Sequence, residues 1–248
     1  MTKKIRRSKR VQSVEYYDDM SITYNADYHM SLDIQKSHHQ PKQVEFETLT
    51  PNQAKYLNSI KNNIITIAHG SAGTGKSWVA VTYACQQLLA KRYKKIIITR
   101  PAVECGEKLG FLPGDLSEKY HEYLTPLLSI FHKTFGNNYT DYLIKTKAID
   151  ARPLAYMRGT TFEDCIVIAD EFQNASPAAT FMFLSRTGNN CKVIINGDTK
   201  QSDIRGTSGL EDAINRISNV NKVGVIEFTT DDIVRSGICK DILLAYQK

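Results

Sequence analysis

The sequence lacks any apolar run approaching the ~20 residues that a membrane-spanning helix requires. Its first residues are basic, but no apolar segment follows them, so they do not form a secretory signal peptide. Internal repeats and low-complexity segments are absent as well. Together these absences predict a cytoplasmic protein with no membrane partner.

Paired cysteines are also missing. The five cysteines lie far apart, with no C-x-x-C pair and no histidine at metal-ligand spacing. They are Cys85, Cys105, Cys165, Cys191 and Cys239. This spacing supports neither a zinc site nor a disulfide framework. For Cys85, Cys165 and Cys191, which lie in apolar segments, we expect buried reduced thiols.

What the sequence does contain is a basic N-terminus and an ordinary globular remainder. The net charge is +6, and the first ten residues carry basic side chains without a single acid. Such a segment can bind nucleic-acid phosphates by displacing counterions, or it can be a solvated tail. Residues 1–45 are polar with few aliphatic side chains, and we predict an arm there, followed by one domain over residues 46–248.

The domain alternates apolar runs with helical patterns, which predicts a mostly parallel sheet flanked by helices. Strands are expected at 63–68, 95–99, 165–169, 192–195 and 223–228, and helices at 76–90, 116–134, 178–186, 210–217 and 233–246. Residues 100–114 are rich in glycine and proline and predict a loop, whereas 139–147 is ambiguous. The fold class is therefore α/β.

A glycine-rich loop matching G-x-x-x-x-G-K-[ST] lies between the first predicted strand and the first predicted helix. Its residues are Gly70, Ser71, Ala72, Gly73, Thr74, Gly75, Lys76 and Ser77. Glycines let successive backbone N–H groups point at phosphate oxygens, and the helix that follows adds its positive end. Lys76 would neutralise the β- and γ-phosphates, and Ser77 would offer its hydroxyl to Mg²⁺. The cofactors predicted are ATP and Mg²⁺.

Two acids follow a buried strand further along the chain. Asp170 is predicted to hold Mg²⁺ through its water shell, and Glu171 to orient and deprotonate the attacking water. A small-molecule kinase does not need that second acid, whereas an ATPase does. An N/T-K-x-D guanine reader is absent: the segments 199–202 and 221–224 both lack the aspartate. The pattern therefore favours ATP hydrolysis over guanine-nucleotide chemistry.

A polar segment, 197–203, follows the fourth predicted strand. In P-loop motors the segment after this strand carries a side chain that responds to the γ-phosphate. Gln201 and Asp198 are the candidates for that role, and Gln201 is assigned to the catalytic set. An acidic turn without any such role is the alternative interpretation.

With these motifs assembled, the chain resembles the PhoH family of phosphate-starvation-type P-loop ATPases. The resemblance extends over about residues 50–245 in blocks of sequence. These are Gly70-Ser-Ala-Gly-Thr-Gly-Lys-Ser77, Thr99-Arg-Pro-Ala-Val-Glu-Cys-Gly-Glu-Lys-Leu-Gly-Phe-Leu-Pro-Gly-Asp115, Pro153-Leu-Ala-Tyr-Met-Arg-Gly-Thr-Thr-Phe162, Asp170-Glu-Phe-Gln-Asn174, Gly197-Asp-Thr-Lys-Gln-Ser-Asp203 and Asp232-Ile-Val-Arg235. The second block is the most distinctive, because other P-loop families lack it.

Two positions depart from the family pattern. Thr160 stands where the family usually has arginine, and Ser236 and Gly237 replace a histidine after the last block. Neither change touches the ATP core, but both bear on subunit contacts and substrate. The divergence, the compact length and the lack of fused domains resemble a phage-encoded member, which would work in the host cytoplasm.

The resemblance implies a RecA-like core related to superfamily 1 helicases, with single-stranded RNA as the nucleic-acid partner and DNA as the alternative. Longer relatives carry a nuclease domain for which this chain has no room, so no nuclease activity is expected. Relatedness to those helicases also implies that Gln53 reads the adenine edge.

RecA-like ATPases often complete the site with an arginine from a neighbouring subunit. Arg235, Arg158 and Arg100 lie in family blocks and are the candidates, in that order. An arginine acting in this way requires a homo-oligomer, for which we expect a hexamer.

Three functions remain open at this point. The first is an ATP-driven helicase or translocase acting on RNA, which would need oligomerisation because a second RecA-like domain is missing. The second is a nucleotide-gated binding switch in a stress or infection response. The third, less favoured, is a small-molecule kinase.

Overall fold

A computed structural model of the chain describes residues 47–101, 120, 123–204 and 206–246, with only the backbone described at positions 243, 244 and 246. The predicted arm over 1–45 and nearly all of the predicted 100–114 loop lie outside these residues. No helix within the described ranges is long and apolar enough to cross a membrane.

Six strands form one parallel sheet in the described part of the chain. They are β1 Ile65–Gly70, β2 Lys95–Thr99, β3 Ile149–Ala151, β4 Cys165–Ala169, β5 Cys191–Gly197 and β6 Val223–Phe228, in the spatial order β3-β2-β4-β5-β1-β6. β4 and β5 are buried along their whole length, as expected for a parallel sheet covered on both faces. The predicted fold class, a RecA-like P-loop NTPase core, is confirmed.

Helices cover both faces of the sheet. They are α1 Pro51–Asn62, α2 Lys76–Leu89, α3 Thr125–Phe135, α4 Asn137–Lys145, α5 Pro177–Leu184, α6 Gly209–Ile217 and α7 Gly237–Tyr246. One apolar core lies between the sheet and α1–α4, and the other lies between the sheet and α5–α6. Along β2 the side chains alternate between these cores: Ile96 and Ile98 belong to the first and Ile97 to the second.

The position of β5 decides where the functional groups meet. It lies between β1, which leads into the phosphate loop, and β4, which leads into the acid pair. The carboxyl ends of parallel strands open at the same edge of a sheet, and ligands of such folds bind there. The segment after β5 is therefore placed between the phosphate loop and the acids.

Two elements were not predicted. α1 is largely polar, and its buried face includes Gln53 and Ser59 beside Tyr56 and Ile60, so no apolar stripe marks it in the sequence. Its start does carry a signal, because the Thr50 hydroxyl accepts from the Gln53 N–H and proline occupies the first turn. β3 has only three residues, too few for a pattern.

One buried lysine fixes the end of α1 against the sheet. The Lys192 ammonium on β5 donates to the carbonyl oxygens of Ile60 and Asn63, where α1 ends. Burial lowers the pKa of Lys192, and the carbonyls compensate in part for its lost hydration. Lys192 is therefore a cation within strand β5 that helps to hold α1 against the sheet.

Three predicted helical segments differ from the structure. The helix predicted at 116–134 corresponds to α3 Thr125–Phe135, and residues 116–119, 121 and 122 lie outside the described part of the chain. The ambiguous 139–147 segment is helical, and its buried side chains Tyr139 and Leu143 are one turn apart. The last helix begins at Gly237 rather than near residue 233, because Thr230–Asp232 forms a short 3-10 turn. The Val234 N–H, which follows that turn, donates instead to the Gly73 carbonyl of the phosphate loop at 3.0 Å.

Candidate nucleotide-binding site

The loop between β1 and α2 has the backbone that a phosphate cradle needs. Gly70, Gly73 and Gly75 all have positive φ angles, of 112°, 76° and 82°. At Gly70 a side chain is also sterically impossible, since a Cβ there would lie 2.0 Å from the Phe228 carbonyl oxygen. α2 begins directly after Gly75, so the first N–H groups of this helix face the loop.

Lys76 lies folded back on its own loop. Its ammonium donates to the carbonyl oxygens of Gly70 at 2.7 Å and Ser71 at 2.8 Å. Burial lowers the pKa of Lys76, while Asp198 and Asp170 oppose that shift. The loop therefore holds a poorly hydrated cation whose natural partner is an anion.

Asp170 is buried at the end of β4 and accepts a hydrogen bond from the Ser77 hydroxyl at 2.8 Å. Burial raises the pKa of Asp170, and the charge of the neighbouring Glu171 raises it further. A hydroxyl and a carboxylate are oxygen ligands of the type that Mg²⁺ prefers, so these residues fit the predicted metal. Among the described residues no three acidic, histidine or cysteine side chains cluster as a metal site, so nucleotide oxygens and water would complete the shell.

Glu171 has a left-handed backbone with a φ angle of 51°. One of its carboxylate oxygens accepts from the Gln173 amide at 2.7 Å, and the other lies 3.4 Å from the Arg100 guanidinium. That guanidinium in turn lies over the ring of Tyr123, 4.8 Å from its centroid. The second acid is therefore held by partners from two neighbouring loops.

Gln173 connects the acid pair to the segment after β5, and sequence reasoning missed it. Its amide oxygen accepts from the Asp198 N–H at 3.0 Å, and its amide nitrogen binds Glu171. Its backbone oxygen accepts from the hydroxyls of Ser202 and Ser208. The only signal in the sequence is its place in the Asp170–Asn174 block.

Replacing Gln173 with leucine should lower the rate of ATP hydrolysis by about tenfold to a hundredfold, because Glu171 loses the group that orients it. ATP affinity should stay within about threefold, since Gln173 does not line the nucleotide cavity. Phosphate-release kinetics and calorimetry measure the two quantities. Unchanged turnover would show that the 2.7 Å contact plays no part in catalysis.

The segment 197–203, predicted to carry the side chain that responds to the γ-phosphate, contributes to the same cavity. Asp198 is buried, Gln201 is exposed, and both line the cavity beside the phosphate loop. The Gln201 N–H donates to the Asp198 carbonyl at 3.0 Å, which closes a turn after β5. The structure thus brings both candidates next to Lys76 and Glu171.

Gln53, which is predicted to read the adenine edge, bonds to the backbone of its own chain. It is buried behind the phosphate loop, where its amide nitrogen donates to the Thr74 carbonyl at 2.9 Å and its amide oxygen accepts from the Leu49 N–H at 2.8 Å. It also packs closely on Gly75, where an added Cβ would lie 2.7 Å from the amide nitrogen. Both polar groups of Gln53 are therefore occupied by the backbone.

The three arginine candidates separate in space. Arg235 and Arg100 both line the cavity of their own chain, next to the phosphate loop and Glu171 respectively. Arg158 is exposed and is not among the described residues that line this cavity. Two of the three are thus positioned to act within the chain that carries them.

The cavity formed by these elements has a volume of about 690 Å³. Its polar part is lined by the phosphate loop, the acid pair and the segment after β5. Trp78 and three residues of α3, Pro126, Leu127 and Ile130, also line it. A cavity with a polar phosphate cradle and apolar side chains suits a ligand with a phosphate end and a ring end.

A phosphate loop between strand and helix, with an acid pair at the end of β4 in the same cavity, defines a P-loop NTPase. The family model for PhoH-like proteins matches residues 45–247. The chain therefore belongs to the PhoH-like protein family, and nucleotide binding follows from that membership.

Curated relatives support this placement. The chain is 40% identical over 240 residues to a PhoH-like protein of Bacillus subtilis, covering 95% of this chain and 70% of that protein. It is 41% identical over 198 residues to Protein PhoH of Escherichia coli, covering 78% of this chain and 56% of the relative. It is 40% identical to the PhoH-like protein of Mycobacterium tuberculosis, covering 80% of this chain and 57% of that protein. The chain thus spans little more than half the length of several of these relatives.

Two solved structures are similar to this chain at low sequence identity. The Hef helicase domain of Pyrococcus furiosus matches with a TM-score of 0.42 at 12% identity, covering 71% of this chain and 37% of that chain. The large terminase of a thermophilic bacteriophage matches with a TM-score of 0.45 at 11% identity, covering 81% and 50%. The fold assignment therefore depends on the strand order and the phosphate loop of this chain.

Proposed function

We propose that this chain binds ATP with Mg²⁺ and hydrolyses it, and that it works as an RNA-acting, helicase- or translocase-like ATPase in a homo-oligomer. One observation carries the enzymatic part. The Ser77 hydroxyl of the phosphate loop donates to Asp170 at 2.8 Å, and Glu171 and Lys76 line the same cavity. The phosphate cradle, the metal ligands and the general base are thereby adjacent.

The residues take separate roles in this proposal. Backbone N–H groups from Gly70 to Ser77 and the Lys76 ammonium bind the β- and γ-phosphates. Ser77 and Asp170 hold Mg²⁺, which when bound neutralises charge that develops on the phosphate oxygens. Glu171 takes a proton from water as the water oxygen bonds to the γ-phosphorus and the bond to the ADP oxygen breaks. Gln201 and Arg235 stabilise the transferring phosphoryl group.

The RNA partner is supported by the basic N-terminal arm and by the resemblance to helicase-related ATPases. A single core of this kind cannot step along a strand alone, so an oligomer, which we expect to be a hexamer, is part of the proposal. Arg235 and Arg158 are both exposed, and Arg158 is the one of them that does not line the cavity of its own chain, so we assign Arg158 to the site of a neighbouring copy. We assign the ATPase domain to residues 46–248 and place the protein in the cytoplasm.

The test of this proposal is the rate of phosphate release with and without single-stranded RNA or DNA of defined length. We expect RNA to increase the rate at least several-fold, and increasingly with length up to the footprint of one oligomer. The Glu171→Gln protein, which should bind ATP without hydrolysing it, is the control for phosphate released by contaminants. If neither nucleic acid changes the rate, the motor interpretation is wrong, whereas phosphate transferred to a metabolite would indicate a kinase.

One observation favours the second candidate, a nucleotide-gated switch. Both carboxylate oxygens of Glu171 have partners, from Gln173 and Arg100, so the base is restrained in this conformation. If the Arg100 contact must break before Glu171 accepts a proton, turnover is slow until that contact rearranges. Slow hydrolysis that no nucleic acid accelerates would therefore support the switch.

Assembly is tested by measuring the molar mass by light scattering with ATP and Mg²⁺, using the non-hydrolysing Glu171→Gln protein to preserve the ATP state. We expect a single species of several chains. A strict monomer at micromolar concentration would contradict the shared site.

A further inference from the structure

The cavity contains a large aromatic side chain for which the chemistry above has no use. Trp78 follows Ser77 directly, in the first turn of α2, and 40% of its surface is exposed. The seven residues after it, 79–85, are all buried. A half-exposed indole lining a concave site beside a phosphate cradle is placed to contact a ligand.

The described residues next to Trp78 in the cavity are mostly apolar. α3 packs against α2 and contributes Pro126, Leu127 and Ile130 to the lining. Two polar side chains of α3 accompany them, Ser129 and Lys133. The Ser129 hydroxyl already donates to the Pro126 carbonyl at 2.8 Å. This end of the cavity therefore offers a ring face and apolar contacts, and few directional hydrogen bonds.

The residue expected to read the base is committed elsewhere. Gln53 donates to the Thr74 carbonyl and accepts from the Leu49 N–H, and it is 3% exposed. Its second N–H and its second oxygen lone pair have almost no exposed surface through which to meet a base. Its contacts are those of a brace for the phosphate loop.

We propose that the base and ribose of the bound nucleotide lie on the indole of Trp78, against the α3 surface at Pro126 and Ile130, while Gln53 supports the phosphate loop from behind. This inference rests on the proposed function, because the phosphate loop must hold the triphosphate for the base to reach this cleft.

A specificity follows from this arrangement. Stacking on an indole accepts every base, since each has a π-face, and it favours the larger purines. Among the described residues of α3 and Trp78 that line the cavity, the polar side-chain groups are the Ser129 hydroxyl, the Lys133 ammonium and the Trp78 indole N–H. We therefore expect ATP and GTP to bind within about tenfold of each other, and pyrimidine triphosphates more weakly.

The test uses the fact that Trp78 is the single tryptophan of the chain. Adding MgATP or MgGTP to the full-length protein should change the indole emission in a saturable way. Magnesium tripolyphosphate, which has the phosphates but no base, should compete with ATP yet cause a much smaller change. Saturable ATP binding that leaves the emission unaltered would overturn the proposal.

Variants separate the base contact from the phosphate contact. Trp78→Leu should weaken ATP binding in calorimetry by about tenfold or more, the effect of losing one stacked base, and should leave tripolyphosphate binding unchanged. Trp78→Phe should restore most of the affinity. Val220→Ala, at an exposed apolar residue that does not line the cavity, is the matched control. Equal losses for both ligands in Trp78→Leu would contradict a base contact.

Gln53→Met should give a different result from Trp78→Leu in the same calorimetric comparison of ATP and tripolyphosphate. If Gln53 braces the loop, this variant loses affinity for ATP and for tripolyphosphate in parallel. If it weakens ATP alone, Gln53 reads the base and the assignment to Trp78 is wrong. If the unmodified protein binds neither ATP nor tripolyphosphate, the phosphate loop does not bind phosphates. That result would contradict the proposed function as well as this inference.

Discussion

Replacing Lys76 with alanine is expected to abolish tight ATP binding. The Lys76 ammonium is poorly hydrated, and within the described part of the chain its hydrogen-bond acceptors are the carbonyl oxygens of Gly70 and Ser71 and the more distant Thr74 hydroxyl. A triphosphate supplies the anionic partner that those neutral groups cannot. Losing a charge-assisted contact of this kind costs about 2–3 kcal/mol, so we expect the Kd for MgATP to rise about a hundredfold in calorimetry.

The same substitution should leave the fold intact. Burial lowers the pKa of Lys76, so its charged form is less favoured in the folded protein than in water. Removing the charge should therefore shift the melting temperature of the ligand-free protein by only a few degrees. MgATP should raise the melting temperature of the unmodified protein but not of the variant. Unchanged ATP affinity in a folded Lys76→Ala protein would remove the phosphate loop from the site.

Replacing Glu171 with glutamine should preserve ATP binding and stop turnover. The amide keeps the size of the carboxylate and can still bond to Gln173 through its oxygen. It cannot accept a proton from water, so hydrolysis should fall by about a hundredfold to ten-thousandfold. Single-turnover phosphate release measures that loss, and calorimetry should give a Kd within about threefold of the unmodified protein.

Asp170→Asn is the matched comparison for this variant. Asp170 is predicted to act through Mg²⁺, so that change should weaken the magnesium dependence of binding as well as turnover. Glu171→Gln should leave the magnesium dependence of binding unaltered. Normal hydrolysis by the Glu171→Gln protein would exclude this residue as the general base.

Much of the site could be predicted because its chemistry is local in sequence. The phosphate loop is eight consecutive residues, and Asp170 and Glu171 are adjacent, so their roles follow from short motifs at the ends of apolar runs. β4 and β6 occur at the predicted positions, since β-branched runs in a parallel sheet leave a clear pattern.

What could not be predicted depends on contacts between distant segments. Gln173 reaches Asp198 and Ser208 only because β4 and β5 are neighbours, and one glutamine in a loop carries no pattern of its own. The family resemblance predicts that Gln53 reads the adenine edge, but it says nothing of the backbone groups that Gln53 contacts. Its real surroundings depend on how α1 packs beneath the phosphate loop, which Lys192 helps to fix. The apolar cleft beside Trp78 likewise requires α3 to lie against α2.

The most direct measurement is the release of inorganic phosphate from ATP by the purified full-length protein, with magnesium and with the magnesium chelated. We predict magnesium-dependent release that exceeds the rate of the Lys76→Ala protein at least tenfold. Release no faster than that background would mean that this cradle of amides, ammonium and acids does not hydrolyse ATP.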